Sequence, residues 1–257
     1  MKSDAKSTIE TGKAILGIEL GSTRIKAVLI DQENKPIAQG NHTWENQLVD
    51  GLWTYSIEAI WSGLQDCYAD LRSNVKNLYG IEIENLAAIG VSAMMHGYMP
   101  FNAKEEILVP FRTWRNTNTG RAAAALSDLF VYNIPLRWSI SHLYQAILDN
   151  EAHVKDIDFL TTLAGYVHWQ LTGEKVLGIG DASGMLPIDP TTHNYSAEML
   201  AKFDKLIAPN QYNWTLQDIL PKVLSAGESA GVLTPEGSKK LDASGHLKAG
   251  IPVCPPE

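Results

Sequence analysis

The chain has 257 residues, of which 45% are hydrophobic and 19% are charged, an ordinary globular composition for one large domain or two small ones. Its formal net charge of −8 argues against a nucleic-acid surface, where a basic stripe is expected. The cysteines and histidines show no metal-ligand spacing, and no apolar run approaches the roughly 18 residues that cross a membrane. Residues 1–13 form a polar leader without the apolar stretch of a secretory signal, so we expect a cytoplasmic protein that binds neither nucleic acid nor a membrane.

Two short apolar runs near the start of the chain, residues 14–18 and 27–30, enclose a small polar segment. Both runs are rich in Ile, Val and Leu and end at turn residues, so the pattern predicts a strand, a turn and a second strand. A turn at residues 33–36 and a further strand-like stretch at residues 37–44 extend the prediction to an antiparallel meander.

The turn between the first two strands is Gly21-Ser22-Thr23, which we call the phosphate turn. A glycine lets a ligand approach the main chain closely, and exposed N–H groups in a turn form an anion-binding concavity. Ser22, Thr23 and Lys26 add hydroxyl and ammonium donors. Glu19 is a hard oxygen ligand of the kind that Mg²⁺ prefers. The alternative is a plain hairpin, since the Gly-x-x-x-x-Gly-Lys spacing of a Walker A loop is absent.

The clearest helix is predicted for residues 56–78, where apolar side chains recur at helical spacing and Gly80 can close the last turn. Residues 86–92 form the next apolar run. Because this run follows a long helix, we expect a strand parallel to the first. Met95 and His96 follow at its carboxyl end, where ligands of open α/β sheets collect. The alternatives are a structural histidine for His96 and a core-filling role for Met95.

The remaining chain alternates between turns, loops and helices. We predict a hairpin from residues 98–101 and 107–110, a polar loop at 111–120, helices at 121–130, 139–148 (capped by Ser139), 158–171, 196–207 and 235–241, and the start of a buried strand at 251–254. Residues 178–184 are predicted to form a flexible loop, in which Asp181 caps a turn.

Several segments resemble, in order, the FGGY carbohydrate kinases of the actin-like ATPase superfamily. Residues 17–26 resemble the first phosphate motif of that family, with Glu19 in place of the usual Asp and Ser22 in place of Thr. Met95-His96-Gly97 resembles the Gln-Met-His-Gly segment of xylulokinases. Trp114-Arg115-Asn116 falls where the family has Trp-x-Asp, so this chain keeps the hydrogen-bonding tip and loses the charge.

Later segments continue the resemblance. Leu171-Thr172-Gly173-Glu174 resembles a family helix end, Gly180-Asp181-Ala182-Ser183-Gly184 resembles its Ser-Asp-Ala-Ala-Gly loop, and residues 220–253 resemble the approach to the interdomain crossing. Gly165-Tyr166 stands where xylulokinases have Asp-Tyr. Trp138 falls near an aromatic residue that contacts substrate in some members.

The resemblance implies an α/β fold of the actin-like ATPase (ribonuclease H-like) type, with a mixed sheet that begins as an antiparallel meander and is flanked by helices. Residues 14–257 would form the sugar-binding N-terminal domain of an ATP-dependent kinase. Xylulose or a related ketose or polyol would accept the phosphoryl group. ATP and Mg²⁺ would be the cofactors.

The resemblance also assigns roles to individual residues. The phosphates would be bound by Gly21, Ser22, Thr23 and Lys26. Glu19 would orient the metal ion through water. The sugar pocket would be shaped by Met95, His96, Trp114, Asn116 and Trp138.

The catalytic base of the family is an Asp that we expect after Glu257, and the lobe that holds the nucleotide is absent from these residues. We therefore expect the isolated chain to be an inactive part of a longer kinase. Two other hypotheses stay open, a non-catalytic sugar-binding module and an actin-like ATPase of the chaperone or filament type. A homodimer is also left open.

Overall fold

The first apolar runs pair to build the central sheet of the computed structural model, which describes residues 2–257. The strands are β1 Ile15–Leu20, β2 Arg24–Ile30, β3 Pro36–Thr43, β4 Gln47–Val49, β5 Leu52–Thr54, β6 Ala88–Ala93, β7 Met99–Phe101, β8 Phe159–Thr161, β9 Val176–Gly178, β10 Ile188–Asp189, β11 Asn194–Tyr195 and β12 Lys222–Leu224. The α-helices are α1 Lys2–Glu10, α2 Ile57–Tyr79, α3 Gly120–Phe130, α4 Ser139–Leu148, α5 Leu163–Thr172, α6 Ile179–Ala182, α7 Ala197–Ile207, α8 Leu216–Ile219 and α9 Pro235–Leu241, with 3-10 helices at Ala152–Asp156 and Ala208–Asn210.

Four strands form the central sheet in the order β3-β2-β1-β6. The first three make the predicted antiparallel meander, and β6 lies parallel to β1. The register places Glu19 opposite Lys26 on one neighbouring strand and opposite Ser92 on the other. The predicted mixed sheet is therefore confirmed, and the crossover through a long helix explains the parallel pair.

The two faces of β1 differ in exposure because successive side chains of a strand point to opposite faces. Leu16 and Leu20 are buried in one hydrophobic core together with Ile60 and Leu64 of α2. Glu19 lies on the other, exposed face. The sheet thus buries one face under a helix and leaves the other available to a ligand.

Helix α2 begins and ends where its sequence predicts. The Ser56 hydroxyl accepts a hydrogen bond from the Ala59 N–H at 3.1 Å. At the other end, Gly80 has a left-handed φ of +72°, and its N–H donates to the Lys76 carbonyl at 2.8 Å. Both end signals in the sequence are therefore used.

The last described residues extend the central sheet beyond β6. The Ile89 N–H donates to the Pro252 carbonyl at 2.9 Å, and the Cys254 N–H donates to the Ile89 carbonyl at 2.8 Å. Ile89 and Val253 form a parallel bridge, which confirms the buried strand expected from residue 251. The Glu257 N–H continues the ladder to the Val91 carbonyl at 3.1 Å.

The helix predicted for residues 158–171 is wrong at its start. Residues 159–161 form β8, which pairs with β7, and α5 begins only at Leu163. The Thr162 hydroxyl accepts from the Gly165 N–H at 3.2 Å and so caps the helix. The predicted hairpin of residues 98–110 is present with irregular pairing, since Phe101 bridges Ile107 and the Leu108 N–H donates to the Pro100 carbonyl at 2.9 Å, while β7 pairs with β8 along its other edge.

Two further predictions are corrected in this half of the molecule. The loop predicted at residues 178–184 contains the short helix α6, and Asp181 inside it is buried. Ser139 does not cap α4, because Trp138 occupies the cap position and the Ser139 hydroxyl donates to the Gly97 carbonyl at 2.6 Å. Both departures follow from tertiary contacts that local spacing does not encode.

The polar leader predicted for residues 1–13 is helical over most of its described length. Ile9 of α1 is buried in the same core as β1. The division of the chain at residue 14 stays a prediction. In the part of the chain described here, no helix combines the length and apolar character needed to span a membrane.

Candidate functional site

The phosphate turn is held from behind by two aromatic side chains. The Trp44 indole N–H donates to the Gly21 carbonyl at 2.7 Å, and the Tyr55 hydroxyl donates to the Ser22 carbonyl at 2.6 Å. The Trp44 and Tyr55 rings stack with centroids 4.1 Å apart. The Gly21 N–H closes the turn on the Arg24 carbonyl at 3.0 Å. The turn is therefore a braced structure and not a loose hairpin end.

Glu19 and Lys26 lie side by side on the exposed face of the sheet. The Lys26 ammonium is 3.3 Å from the Glu19 carboxylate. Both line a groove of about 430 Å³ that also contains Ser92 and Glu257. The two charges neutralise each other while they stay exposed, so an incoming phosphate and its cation can separate them at little cost.

The groove offers limited support for a magnesium ion. The described residues contain no cluster of three His, Cys, Asp or Glu side chains that could hold a metal alone. Magnesium in nucleotide sites is commonly held by one or two carboxylates, with phosphates and waters completing six positions. The Glu19 carboxylate fits that donor set, and its partner Lys26 would then be free for a phosphate.

Met95, His96 and Gly97 follow β6 in a strained turn. His96 has φ +70° and Gly97 has φ +107°. A side chain on Gly97 would come within 2.8 Å of the Arg112 carbonyl, so glycine is required here. Met95 is exposed, whereas His96 is half-buried beside Gly184. The turn therefore presents the His96 ring at the carboxyl end of a central strand.

The His96 ring is biased towards its neutral form. Burial lowers its pKa, the Gly184 backbone partly opposes that shift, and the positive charge of Arg137 lowers the pKa further. A neutral imidazole can both accept and donate a hydrogen bond. His96 is therefore suited to recognising hydroxyl groups.

Trp114 lies in the same cavity as the phosphate turn. The cavity has a volume of about 620 Å³ and is lined by Ser22, Thr23, Glu45, Asn46, Trp53, Trp114 and Arg115. The Arg115 guanidinium lies 3.6 Å from the centre of the Trp53 ring, and that of Arg137 lies 5.5 Å from the centre of the Trp114 ring. We call Trp53 and Trp114, with these two arginines, the tryptophan wall.

Asn116 is buried beside the cavity and is used to brace it. Its amide NH₂ donates to the Trp53 carbonyl at 2.8 Å and to the Thr113 carbonyl at 3.0 Å. Its side-chain oxygen accepts from the Trp53 N–H at 2.9 Å. A direct contact with sugar stays a prediction, but these bonds give Asn116 an indirect role that holds Trp53 in place.

Trp138 is half-buried and is connected to the site through both chain neighbours. Arg137 before it stacks on Trp114, and Ser139 after it binds the Gly97 carbonyl. The centroids of the Trp138 and Tyr132 rings lie 6.4 Å apart. Its place near the predicted pocket is consistent with the expected role, which stays a prediction.

Asp181 is a buried acid, and its predicted role as a turn cap is corrected. Its carboxylate accepts from the Thr162 hydroxyl at 2.5 Å, and its N–H donates to the Glu257 carboxylate at 2.9 Å. Burial raises the pKa of Asp181 to about 7, the Thr162 hydroxyl opposes the shift, and the charge of Glu257 adds to it. Asp181 therefore joins α5, α6 and the last strand behind His96.

With this geometry described, comparison with known proteins decides the family. The profile of the N-terminal domain of the FGGY family of carbohydrate kinases matches residues 14–255. The chain belongs to this family. Structures of FGGY kinases with an actin-like ATPase fold share its architecture, among them a xylulose kinase from Rhodospirillum rubrum with a TM-score of 0.77 and 18% identity, covering 95% of this chain and 49% of that one.

Two curated FGGY relatives show how distant the similarity is. The xylulose kinase of Escherichia coli K12 is 20% identical over 231 residues, which are 87% of this chain and 45% of the relative. The autoinducer-2 kinase of Escherichia coli ATCC 8739 is 23% identical over 257 residues, covering 93% of this chain and 44% of the relative. The chain thus spans about half the length of the curated relatives it matches.

The structure places Ser22, Thr23 and Trp114 along one cavity and Glu19 and Lys26 along a second groove. It also adds residues that the sequence reasoning missed. Trp53, Asn46 and Arg137 come from segments without a recognisable motif. Aromatic and basic residues alternate at the start of segment 111–120 and were a signal for Arg115. Its stacking partner Trp53, however, lies more than sixty residues earlier along the chain. No local pattern could have joined them.

Proposed function

We propose that the chain is the sugar-binding N-terminal domain of an ATP-dependent carbohydrate kinase. The observation that carries this proposal is the shared cavity, in which the phosphate turn and Trp114 face one space. Phosphoryl transfer depends mainly on positioning and on electrostatic stabilisation, so an acceptor and a phosphate must be held next to each other. A cavity with a hydroxylated turn at one side and a tryptophan at the other supports this arrangement.

In the proposed reaction, a sugar hydroxyl attacks the γ-phosphorus of ATP in line. A new oxygen–phosphorus bond forms as the bond to the ADP oxygen breaks, and the hydroxyl proton passes to a general base. Gly21, Ser22, Thr23 and Lys26 steady the phosphates. Mg²⁺, when bound near Glu19, would neutralise phosphate charge.

The sugar lies, in this proposal, between the turn at Met95 and His96 and the tryptophan wall. The neutral His96 ring holds a hydroxyl, and Trp114 covers an apolar face of the substrate. Asn116 and Ser139 act indirectly, because one braces Trp53 and the other braces Gly97. Xylulose and related ketoses or polyols are the first candidates, since relatives of the chain are named xylulose kinases.

The test is sugar-dependent ADP release by the protein encoded by the complete gene, measured with pentuloses, hexuloses and polyols at fixed MgATP. We expect one class of sugar to stimulate turnover, and the same class to raise the melting temperature of the 257-residue chain. Sugar binding without turnover would instead support a non-catalytic module. ATP hydrolysis that no sugar stimulates would support an actin-like ATPase of the chaperone or filament type.

Two further expectations accompany this proposal. A cytoplasmic location goes with the use of ATP. A homodimer stays a prediction that sedimentation velocity on the complete protein would test.

A further inference from the structure

We infer that the tryptophan wall selects a substrate that carries a carboxylate beside its hydroxyls, so that the site takes a sugar acid in preference to the neutral polyol of the same length. This inference rests on the proposed function and narrows its substrate class.

The first argument is the lack of acidic partners for the two arginines of the wall. Arg115 and Arg137 make no ion pair with a carboxylate within the described residues, although the chain has 29 acidic residues against 21 Lys and Arg. Of the four other arginines, three pair with acids, whereas Arg24 of β2 has no such partner within the described residues. Arg72 contacts Glu82 and Asp242, Arg112 contacts Glu151, and Arg121 contacts Asp149.

The second argument is the orientation imposed by stacking. A guanidinium that lies over an aromatic ring keeps its N–H groups at the edge, where they can meet an anion in the plane. Arg115 lies 3.6 Å from the Trp53 ring centre, and Asn116 fixes the Trp53 backbone from below. The fork of donors is therefore ordered before a ligand arrives, which suits the planar geometry of a carboxylate.

The third argument is the composition of the surrounding cavity. Asn116 at its edge is neutral, and Glu45 is the acidic side chain among the described lining residues. Glu45 is exposed and forms no ion pair with Arg115. Asn46 lines the same cavity, and its side-chain oxygen is buried without a hydrogen-bond partner among the described residues, which leaves an unused acceptor beside the cavity.

Arg137 connects the wall to His96. Its guanidinium lies 5.5 Å from the centre of the Trp114 ring, which lines the cavity, and its charge contributes to the lowered pKa of the His96 ring. In this inference, the carboxylate bound at the wall and the hydroxyl held by His96 belong to the same substrate. The combination fits a short polyhydroxylated acid better than it fits a neutral sugar.

The experiment compares matched ligand pairs by isothermal titration with the 257-residue chain at pH 7, using D-gluconate against D-glucitol and D-xylonate against xylitol. We expect at least one acid to bind about 10-fold or more tightly than its polyol, because hydrogen bonds to charged groups are the stronger ones. Arg115→Gln and Arg137→Gln should each remove most of that preference. Arg115→Lys should restore part of it, since the charge returns without the planar fork.

Arg121→Gln is the control for the loss of one positive charge. Arg121 pairs with Asp149, which follows α4 at the end opposite Ser139, and it lies outside the cavity. This variant should keep the preference for the acid. Glu45→Gln should keep or increase it.

Three outcomes would overturn the inference while leaving the proposed function intact. They are equal affinity for acid and polyol, an unchanged preference in both arginine variants, and weaker ATP binding by the variants of the complete protein with sugar-acid binding unaffected. Equally strong, arginine-dependent binding of glucose 6-phosphate would overturn the assignment to a carboxylate. If neither the acids nor any neutral sugar binds, the proposed function fails as well.

Discussion

The phosphate turn and the tryptophan wall face one cavity but handle charge in different ways. Beside the turn, Glu19 and Lys26 pair with each other on an exposed sheet face. In the wall, Arg115 and Arg137 stack on tryptophans and have no acidic partner in the described chain. An exposed pair exchanges partners easily and suits a common cofactor, whereas an unpaired stacked cation favours one class of ligand.

Individual contacts on the two sides also differ in burial. Gly97 beside His96 and Asn116 behind Trp53 are buried, and disturbing such contacts costs free energy. The Glu19–Lys26 pair is exposed and contributes little to stability. Substitutions on the two sides should therefore have effects of different size and kind.

The largest effect is expected for Gly97→Ala. Its φ of +107° is unfavourable for alanine, and the new methyl group would lie 2.7 Å from the Phe111 ring and 2.8 Å from the Arg112 carbonyl. We expect a loss of about 2–4 kcal/mol in the free energy of unfolding, measured in urea, together with loss of sugar binding. Gly120→Ala is the control, because nothing lies within 4 Å of a methyl group there. Equal stability of the two variants would contradict the strained turn.

The next effect is expected for His96→Ala in the complete protein. Sugar-dependent turnover should fall by about 10-fold or more, because a hydrogen bond to the substrate is lost in a partly buried site, while the KM for ATP should change little. His96→Gln keeps a donor and should recover part of the loss. Unchanged sugar kinetics in His96→Ala would remove His96 from the sugar site.

A pH effect is expected for Asp181→Asn. The pKa of Asp181 is near 3.8 in the unfolded chain and about 7 in the fold, so only the folded state holds the proton between these values. Stability should therefore fall as pH rises from about 4 to about 7, and the amide, which cannot ionise, should flatten this slope. Urea unfolding at several pH values measures it.

The control for this experiment is Asp128→Asn, which changes an exposed acid on α3. Its stability profile should keep the slope of the unchanged chain. If the Asp181→Asn profile keeps that slope too, the buried acid is ionised in the fold.

The smallest effect on stability is expected for Lys26→Gln. The Lys26 and Glu19 side chains are 38% and 52% exposed, so their pair should contribute less than about 1 kcal/mol to folding. In the complete protein, nucleotide affinity should fall a few-fold while sugar affinity stays unchanged. Lys202→Gln, which breaks an exposed pair with Glu198 on α7, should change neither affinity. If Lys26→Gln lowered the affinity for sugar more than the affinity for nucleotide, Lys26 would belong to the sugar side of the site and not to the phosphate side.

Sequence reasoning was accurate where neighbouring residues decide the structure. The meander of β1 to β3 follows from apolar runs joined by short turns, and α2 follows from its periodicity and its two end signals, Ser56 and Gly80. The parallel pairing of β6 follows from the length of the crossover. The family motif at Met95 to Gly97 then marks a strand end in the expected place.

It was inaccurate where a partner far along the chain decides the structure. β8 has three residues inside a helical pattern, and it is a strand because β7 offers an edge. Asp181 looked like a turn residue, but Thr162 and Glu257 surround it and raise its pKa. The motif at Asn116 does not reveal that its amide is engaged by the distant Trp53 backbone, and its direct contact with sugar stays a prediction.

The sequence by itself determined the family, the order of the first strands and the position of the phosphate turn, because these depend on short motifs and local periodicity. Only the tertiary structure decided which groups remain free for a ligand. The difference has a physical reason, since a side chain is available for binding only after its contacts within the fold are known. Glu19 is paired with Lys26, Asn116 is engaged by Trp53, and the arginines of the tryptophan wall have no acidic partner among the residues that the structure describes.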